Sequence, residues 1–301
     1  MGNVSFTVAK ILQRIDYFGN ISYKYNVYRH KKIMLHLLPY FKKAESITKE
    51  ASNLELSNDT AYENQKVIWV FWWQGKENMT HLTQKCYRSI LKNRGKYKVI
   101  LITEQNIQNY AKFPDYIYQK LREGYISLTH FSDILRFNLL SQYGGLWLDL
   151  TIFVTSSLDN VYIDNLFTCS GYISKNNFNV SNGRWTGFAI GGPKGSELFR
   201  FMNAFFMCYW KEERSLEDYF TIDYGLNFAW NENMSNFPMA SELNKTFAPN
   251  LFNLQQELNR IYSPEIAKSL TSDTSLFKLS NKKRINEADS SNFFNNLENL
   301  Y

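Results

Sequence analysis

Between residues 127 and 154 the spacing of apolar positions changes from helical to extended, and the polar residues interrupting it fall where chemistry is expected. In SLTHFSDILRFNLLSQYGG, Leu128, Phe131, Leu135, Leu139 and Leu140 recur at the intervals of one helix face. Asp133 and Arg136, three apart, share another face. Gly144 and Gly145 stop the helix, because glycine accepts the left-handed backbone that helix ends favour. Residues 146–154 then follow as a buried strand interrupted only by Asp149 and Thr151, which alternation places on one side. A carboxylate and a hydroxyl so placed can both meet a hard cation such as Mn²⁺ or Mg²⁺, and that cation would hold a diphosphate.

The flanking pattern predicts an α/β fold. Residues 66–75, KVIWVFWWQG, form an apolar run closed by glycine, as in the first strand of a buried sheet. A helix over 83–93, a strand over 98–103 and a helical pattern beginning near Glu104 continue it as βαβα. Downstream, 169–174 and 183–192 are expected as strands of a mixed sheet, 193–195 as a turn, and 197–211 as a helix. The Asn-rich segment 286–301 is expected to end as a short helix or a frayed terminus.

Ser132, Asp133, Arg136, Gly144, Gly145, Asp149 and Thr151 spell S-D-x-x-R, a spacer, then G-G-x-x-x-D-x-T, which resembles the capsular polysaccharide synthesis proteins and the related DXD-containing sugar transferases. The resemblance implies a nucleotide-diphospho-sugar transferase (GT-A type) fold, with a mixed, mostly parallel central sheet and an N-terminal helical extension. It divides the chain into a basic extension over 1–60 and a transferase domain over 61–301, with a nucleotide-sugar half to about 155 and an acceptor half beyond. It also implies a retaining transferase moving a hexose, from UDP-galactose or UDP-glucose, to a lipid-linked capsular or surface polysaccharide repeat.

On that resemblance Asp133 and Arg136 hold the donor sugar beside Ser132, and Asp149 with Thr151 holds the metal. Thr151 stands where a second Asp is commoner, and a hydroxyl is the weaker ligand. Trp69 and Trp72, in or beside the opening strand, are donor-side candidates for the base. GRWTGFAIGG, containing Trp185, resembles the acceptor lining, and EDYFTIDY resembles the family's D-Y-F-x-x-D, making Asp218 and Asp223 acceptor candidates and Asp223 a catalytic one. Lys278, and behind it Lys282, resembles the closing lysine that approaches the diphosphate. A lysine-rich tail and a helix-capping Asp are the plainer readings of those segments.

Composition narrows the field. With 301 residues and 44% hydrophobic content the chain can bury a large core, and 17% aromatics suit sheet packing and sugar stacking. No apolar run approaches a membrane span and no signal peptide is evident, so a cytoplasmic chain is expected. Cys86, Cys169 and Cys208 suggest buried thiols, and the four histidines lack a metalloprotease spacing. Seven N-x-S/T triplets, among them 58–60 and 78–80, are expected by chance in so Asn-rich a chain.

The net charge of +6 is uneven: residues 1–50 carry nine Lys and Arg against Asp16, Glu45 and Glu50, which is the whole excess. That segment would suit either an anionic inner-leaflet surface or a solvated helix face packed on the domain. Nucleic acid fits less well, since no recognition motif accompanies the charge. Two other classes remain: a glycoside hydrolase, which would also need two carboxylates, and an inactive transferase-like sugar-binding or scaffold protein, for which Thr151 is the hint.

Overall fold

The computed structural model describes residues 2–16, 19–55, 66–161, 163–172 and 175–301. The expected boundary at 60/61 and the 58–60 triplet lie outside them. The chain opens with helices α1 (Gly2–Ile15) and α2 (Asn20–Glu55). The corner between them is pinned by Asp16, whose carboxylate accepts from the backbone N–H of Gly19 at 3.1 Å and of Ser22 at 2.6 Å. Among the described residues, no helix is long and apolar enough to cross a membrane.

The expected βαβ opening is present: β1 (Val67–Phe71), α3 (His81–Asn93), β2 (Lys98–Ile102). The helix expected near Glu104 is displaced. Asn106 folds its side chain back onto the backbone N–H of Thr103 at 2.8 Å, and Pro114 disfavours helix before it, so α4 (Asp115–Arg122) starts only after the proline. The predicted helix α5 (Leu128–Tyr143) forms with Ser127 as its cap, accepting from the His130 N–H at 3.2 Å. It ends at Gly144, whose positive φ of 67° is a backbone region that favours glycine. Gly145 follows with φ 99°, and a Cβ there would stand 2.7 Å from the Val67 carbonyl oxygen, so this strand can approach β1 only without a side chain.

Residues 146–154 are not one strand. β3 (Gly145–Leu148) joins the central sheet and β4 (Ile152–Val154) leaves it, with a turn at Asp149–Leu150–Thr151 closed by the Ile152 N–H on the Asp149 carbonyl at 2.8 Å. β5 (Phe167–Thr168) lies just ahead of the expected 169–174, of which 173 and 174 are outside the described residues. β6 (Ala189–Gly192) is the end of GRWTGFAIGG, and α6 (Glu197–Glu212) and α7 (Thr221–Asn231) follow. The order β2-β1-β3-β6-β5 pairs β2, β1 and β3 in parallel and sets β6 antiparallel between β3 and β5, so four of five strands run one way. This is a mixed, mostly parallel α/β sheet.

β7 (Leu276–Lys278) pairs antiparallel with β4, placing Lys278 opposite Ile152. The C-terminal segment is not frayed: Phe293, Phe294 and Leu297 are buried, packed with Phe153, Phe277 and Leu82 of α3. α2 lies against α6 and α7, with Phe41 close to Phe205 of α6 and stacked on Phe228 of α7.

Candidate functional site

The turn that splits the predicted strand delivers Asp149 and Thr151 to the end of the central sheet, below the polar face of α5 and beside β7. Arg136 reaches across: one guanidinium nitrogen donates to Asp133 at 2.8 Å, the other to Asp149 at 3.0 Å. The Trp147 indole also donates to Asp149, at 3.0 Å, and lies 5.0 Å under the Arg136 guanidinium. From β7 the Lys278 ammonium lies 3.4 Å from Asp149 and hydrogen-bonds Thr151. Two acids and two bases thus form one connected cluster. Arg136 is 4% exposed, whereas Asp133, Lys278 and Asp149 keep 17%, 22% and 28% of their side-chain surface. A fixed, dry guanidinium with carboxylates open on one side is suited to gripping a polar ligand.

Burial alone would raise the Asp149 carboxyl, but Lys278 and Arg136 outweigh it, with the Trp147 indole, and hold it below the usual carboxylate range. Asp149 is therefore ionised at neutral pH. Asp223 on α7 behaves oppositely. Burial pushes it up to about 7 and the Asp133 charge adds to that, against the Trp185 indole, which donates to it at 2.8 Å, and against Arg136 and Arg184. It keeps partial solvent contact.

Several supports were not legible in the sequence. His130, buried in α5, accepts at Nε2 from the Trp210 indole at 2.9 Å, which leaves Nδ1 as the protonated nitrogen, 3.5 Å from Asp133. Gly187 lies beside Arg136, where a Cβ would come within 3.3 Å of the guanidinium and 2.9 Å of Ile222. Tyr219, 45% exposed, is close enough to Asp133, Asp149 and Asp223 for their charges to add to the burial that raises its phenol, and Lys282 sits 5.7 Å over its ring. Apart from the His130–Asp133 pair, three residues apart on α5, these contacts cross between elements far apart in sequence, so no local spacing announces them.

Not every expected residue joins the cluster. Trp69 is 1% exposed and donates to the Gly144 carbonyl at 2.9 Å, so its indole locks β1 to the helix end and offers no face to a base. Trp72 is partly exposed but donates to the Asn78 carbonyl, outside the cluster. Trp185 is fully buried and bears on the site only through Asp223. Asp218 is fully buried against Arg29 of α2 at 3.7 Å, and burial raises its carboxyl, so it is an interior ion-pair partner without a surface for an acceptor. Ser132 is partly exposed beside Asp133.

The Asp149 and Thr151 oxygens converge on a single cation, here the Lys278 ammonium. Asp149 and Thr151 are the oxygens that could hold a divalent ion, and the Lys278 ammonium lies against both. Among the described residues, no group of three or more His, Cys, Asp or Glu is placed for a metal, so its other ligands would be water and substrate phosphate. A separate cavity lined by His81, Lys85, Arg88, Glu287 and Phe294 shares no residue with the cluster, and the site is placed by its chemistry.

Fold and cluster together define an α/β protein with a charged cluster where the strands of its parallel half end. The family model for capsular polysaccharide synthesis proteins matches residues 15–297, and the chain belongs to that family. Among solved structures it is similar to a chain titled PaToxG Glycosyltransferase, at 13% identity and a TM-score of 0.38, over 70% of this chain and 89% of that one. No curated protein sequence matches it.

Proposed function

We propose that the protein is a retaining glycosyltransferase of the nucleotide-diphospho-sugar (GT-A) type, moving a hexose from UDP-galactose or UDP-glucose to a lipid-linked saccharide of a capsular or surface polysaccharide. The observation that carries the reading is Arg136 joined to both Asp133 and Asp149, with Lys278 on the far side of Asp149. Membership of a capsule-synthesis family supports the same reaction class.

Breaking the bond from the anomeric carbon to a nucleoside diphosphate builds negative charge on the β-phosphate and positive charge on the ring. Lys278 is placed to turn from Asp149 toward the phosphate. Asp133, held by Arg136 and His130, accepts from sugar hydroxyls and faces the ring's positive charge. Mn²⁺ or Mg²⁺, seated on Asp149 and Thr151, would supply further neutralisation of the diphosphate. Asp223, near neutrality, holds or releases a proton beside the acceptor. With the nucleotide leaving from the face the acceptor enters, the departing phosphate serves as base and no strong protein base is required.

The test is a panel of nucleotide sugars assayed for nucleotide release with and without Mn²⁺. One UDP-hexose should be hydrolysed or transferred in a metal-dependent way, and Asp149→Ala should abolish it. Donor binding without turnover would assign the chain to an inactive transferase-like protein, and release of free sugar from an oligosaccharide without nucleotide would assign it to hydrolysis.

A further inference from the structure

The two N-terminal helices bury one face against the body and leave another that the site chemistry does not use. On α2 the inward face carries Arg29, Ile33, Leu37 and Phe41, all buried. On the outward face Ile21, Tyr28 and Leu35, at intervals of two helical turns, are 64%, 63% and 62% exposed. Val4, Ile11 and Ile15 form the corresponding outward stripe of α1 at 70%, 51% and 70%. Apolar side chains bared at regular helical spacing on both members of a helix pair mark an interaction surface, unlike scattered ones.

Along α2 itself the charge around the stripe has one sign; from the neighbouring segment Glu217 lines a groove beside Tyr28 and Lys32, and Glu213 and Glu217 face His36. Between Asp16 and Glu45 the sequence contains no acid. Lys24 and Lys31 follow Ile21 and Tyr28 by three residues and so lie along the same exposed face. Lys42, Lys43 and Lys49, farther along α2, are paired with Glu45, Glu212 and Glu232. Among the described residues Lys24, Lys31 and Lys32 have no ion-pair partner. A surface that alternates exposed aliphatic and aromatic groups with unpaired ammonium groups matches a bilayer interface, where apolar tips enter the acyl boundary and lysines rise to the headgroups.

We infer that this outward face of α1 and α2 docks in the plane of an anionic lipid bilayer. α1 borders the site through its inward face, where Phe6 stacks on Tyr219 at 4.9 Å and Tyr219 lies within reach of the acidic cluster. The inference rests on this surface alone and stands apart from the transferase reading.

Sedimentation of the full chain with vesicles tests it, comparing phosphatidylcholine alone with phosphatidylcholine containing about a third phosphatidylglycerol. The native chain should bind the anionic vesicles at least about tenfold more tightly, and added salt should weaken the binding. The triple variant Ile21→Ser, Tyr28→Ser, Leu35→Ser should lose at least about tenfold, as should Lys24→Gln, Lys31→Gln, Lys32→Gln, with melting temperatures unchanged because every site is exposed. Equal affinity for both vesicle types, or binding indifferent to both variants, overturns the inference. A dimer in sedimentation equilibrium that the apolar triple variant dissolves overturns it too, by giving the face to a second copy of the chain.

Discussion

The Asp149 cluster and the Arg29–Asp218 pair are both arginine–carboxylate contacts, and only one is built to meet a ligand. Arg136 is buried while its carboxylates stay partly open, so each interaction has an unused side. Arg29 and Asp218 are 2% and 0% exposed, enclosed by Phe6, Phe178 and Phe220, and the Asp218 Oδ2 atom accepts no hydrogen bond. The first contact holds charge ready for a substrate. The second fastens the N-terminal helices to the segment carrying Tyr219 and Asp223. Chemistry and cohesion are separated by exposure, not by residue type.

The contrast is broken or sharpened by substitution. Asp149→Ala should lower turnover by about a hundredfold or more, as loss of a central electrostatic group does, at a smaller cost in stability than Arg29→Ala because Arg136 keeps its bond to Asp133. Arg29→Ala should do the reverse: it strands a buried carboxylate and should cost about 3 kcal/mol of stability in denaturant titration. The double change Arg29→Met with Asp218→Asn should recover much of that loss, since removing both charges removes the desolvation cost. A stable Arg29→Ala protein with impaired donor binding would erase the distinction between the two regions.

A smaller effect is expected from pH. The Asp223 carboxyl stands at about 7 in the folded chain against about 4 unfolded, so the native state holds the extra proton between those values. Its contribution to stability must then decline as pH rises from about 4 to about 7 and level off above that. Asp223→Asn should flatten that slope and remove an inflection near pH 7 from the activity profile. The smallest change expected is Gly187→Ala, which must push Ile222 and crowd Arg136, and should reduce turnover several-fold with little effect on melting.

How much of this could be seen in the sequence follows from the range of each interaction. The α5 face, the Gly-Gly turn and the approach of Asp149 to Arg136 all lie between Leu128 and Asp149, and local spacing exposes them. The departure of β4 from the central sheet was hidden, because its partner β7 lies more than a hundred residues downstream. Asp218 and Trp185 occupy segments with the expected pattern but face α2 and the core, a matter of tertiary packing that periodicity cannot report. Lys278 emerged only through resemblance, since a lysine in a basic tail has no local signature. His130 is oriented by Trp210, eighty residues downstream, a contact that only the folded chain creates.

The central claim is that Asp149 and its neighbours bind the diphosphate end of a nucleotide sugar while Asp133 addresses the sugar. Calorimetric titration of a UDP-hexose in the presence of Mn²⁺ tests it most directly. The account predicts measurable binding by the native chain, its loss in Asp149→Ala, and near-native nucleotide affinity in Asp133→Ala despite reduced transfer. Unaltered binding in Asp149→Ala would contradict it.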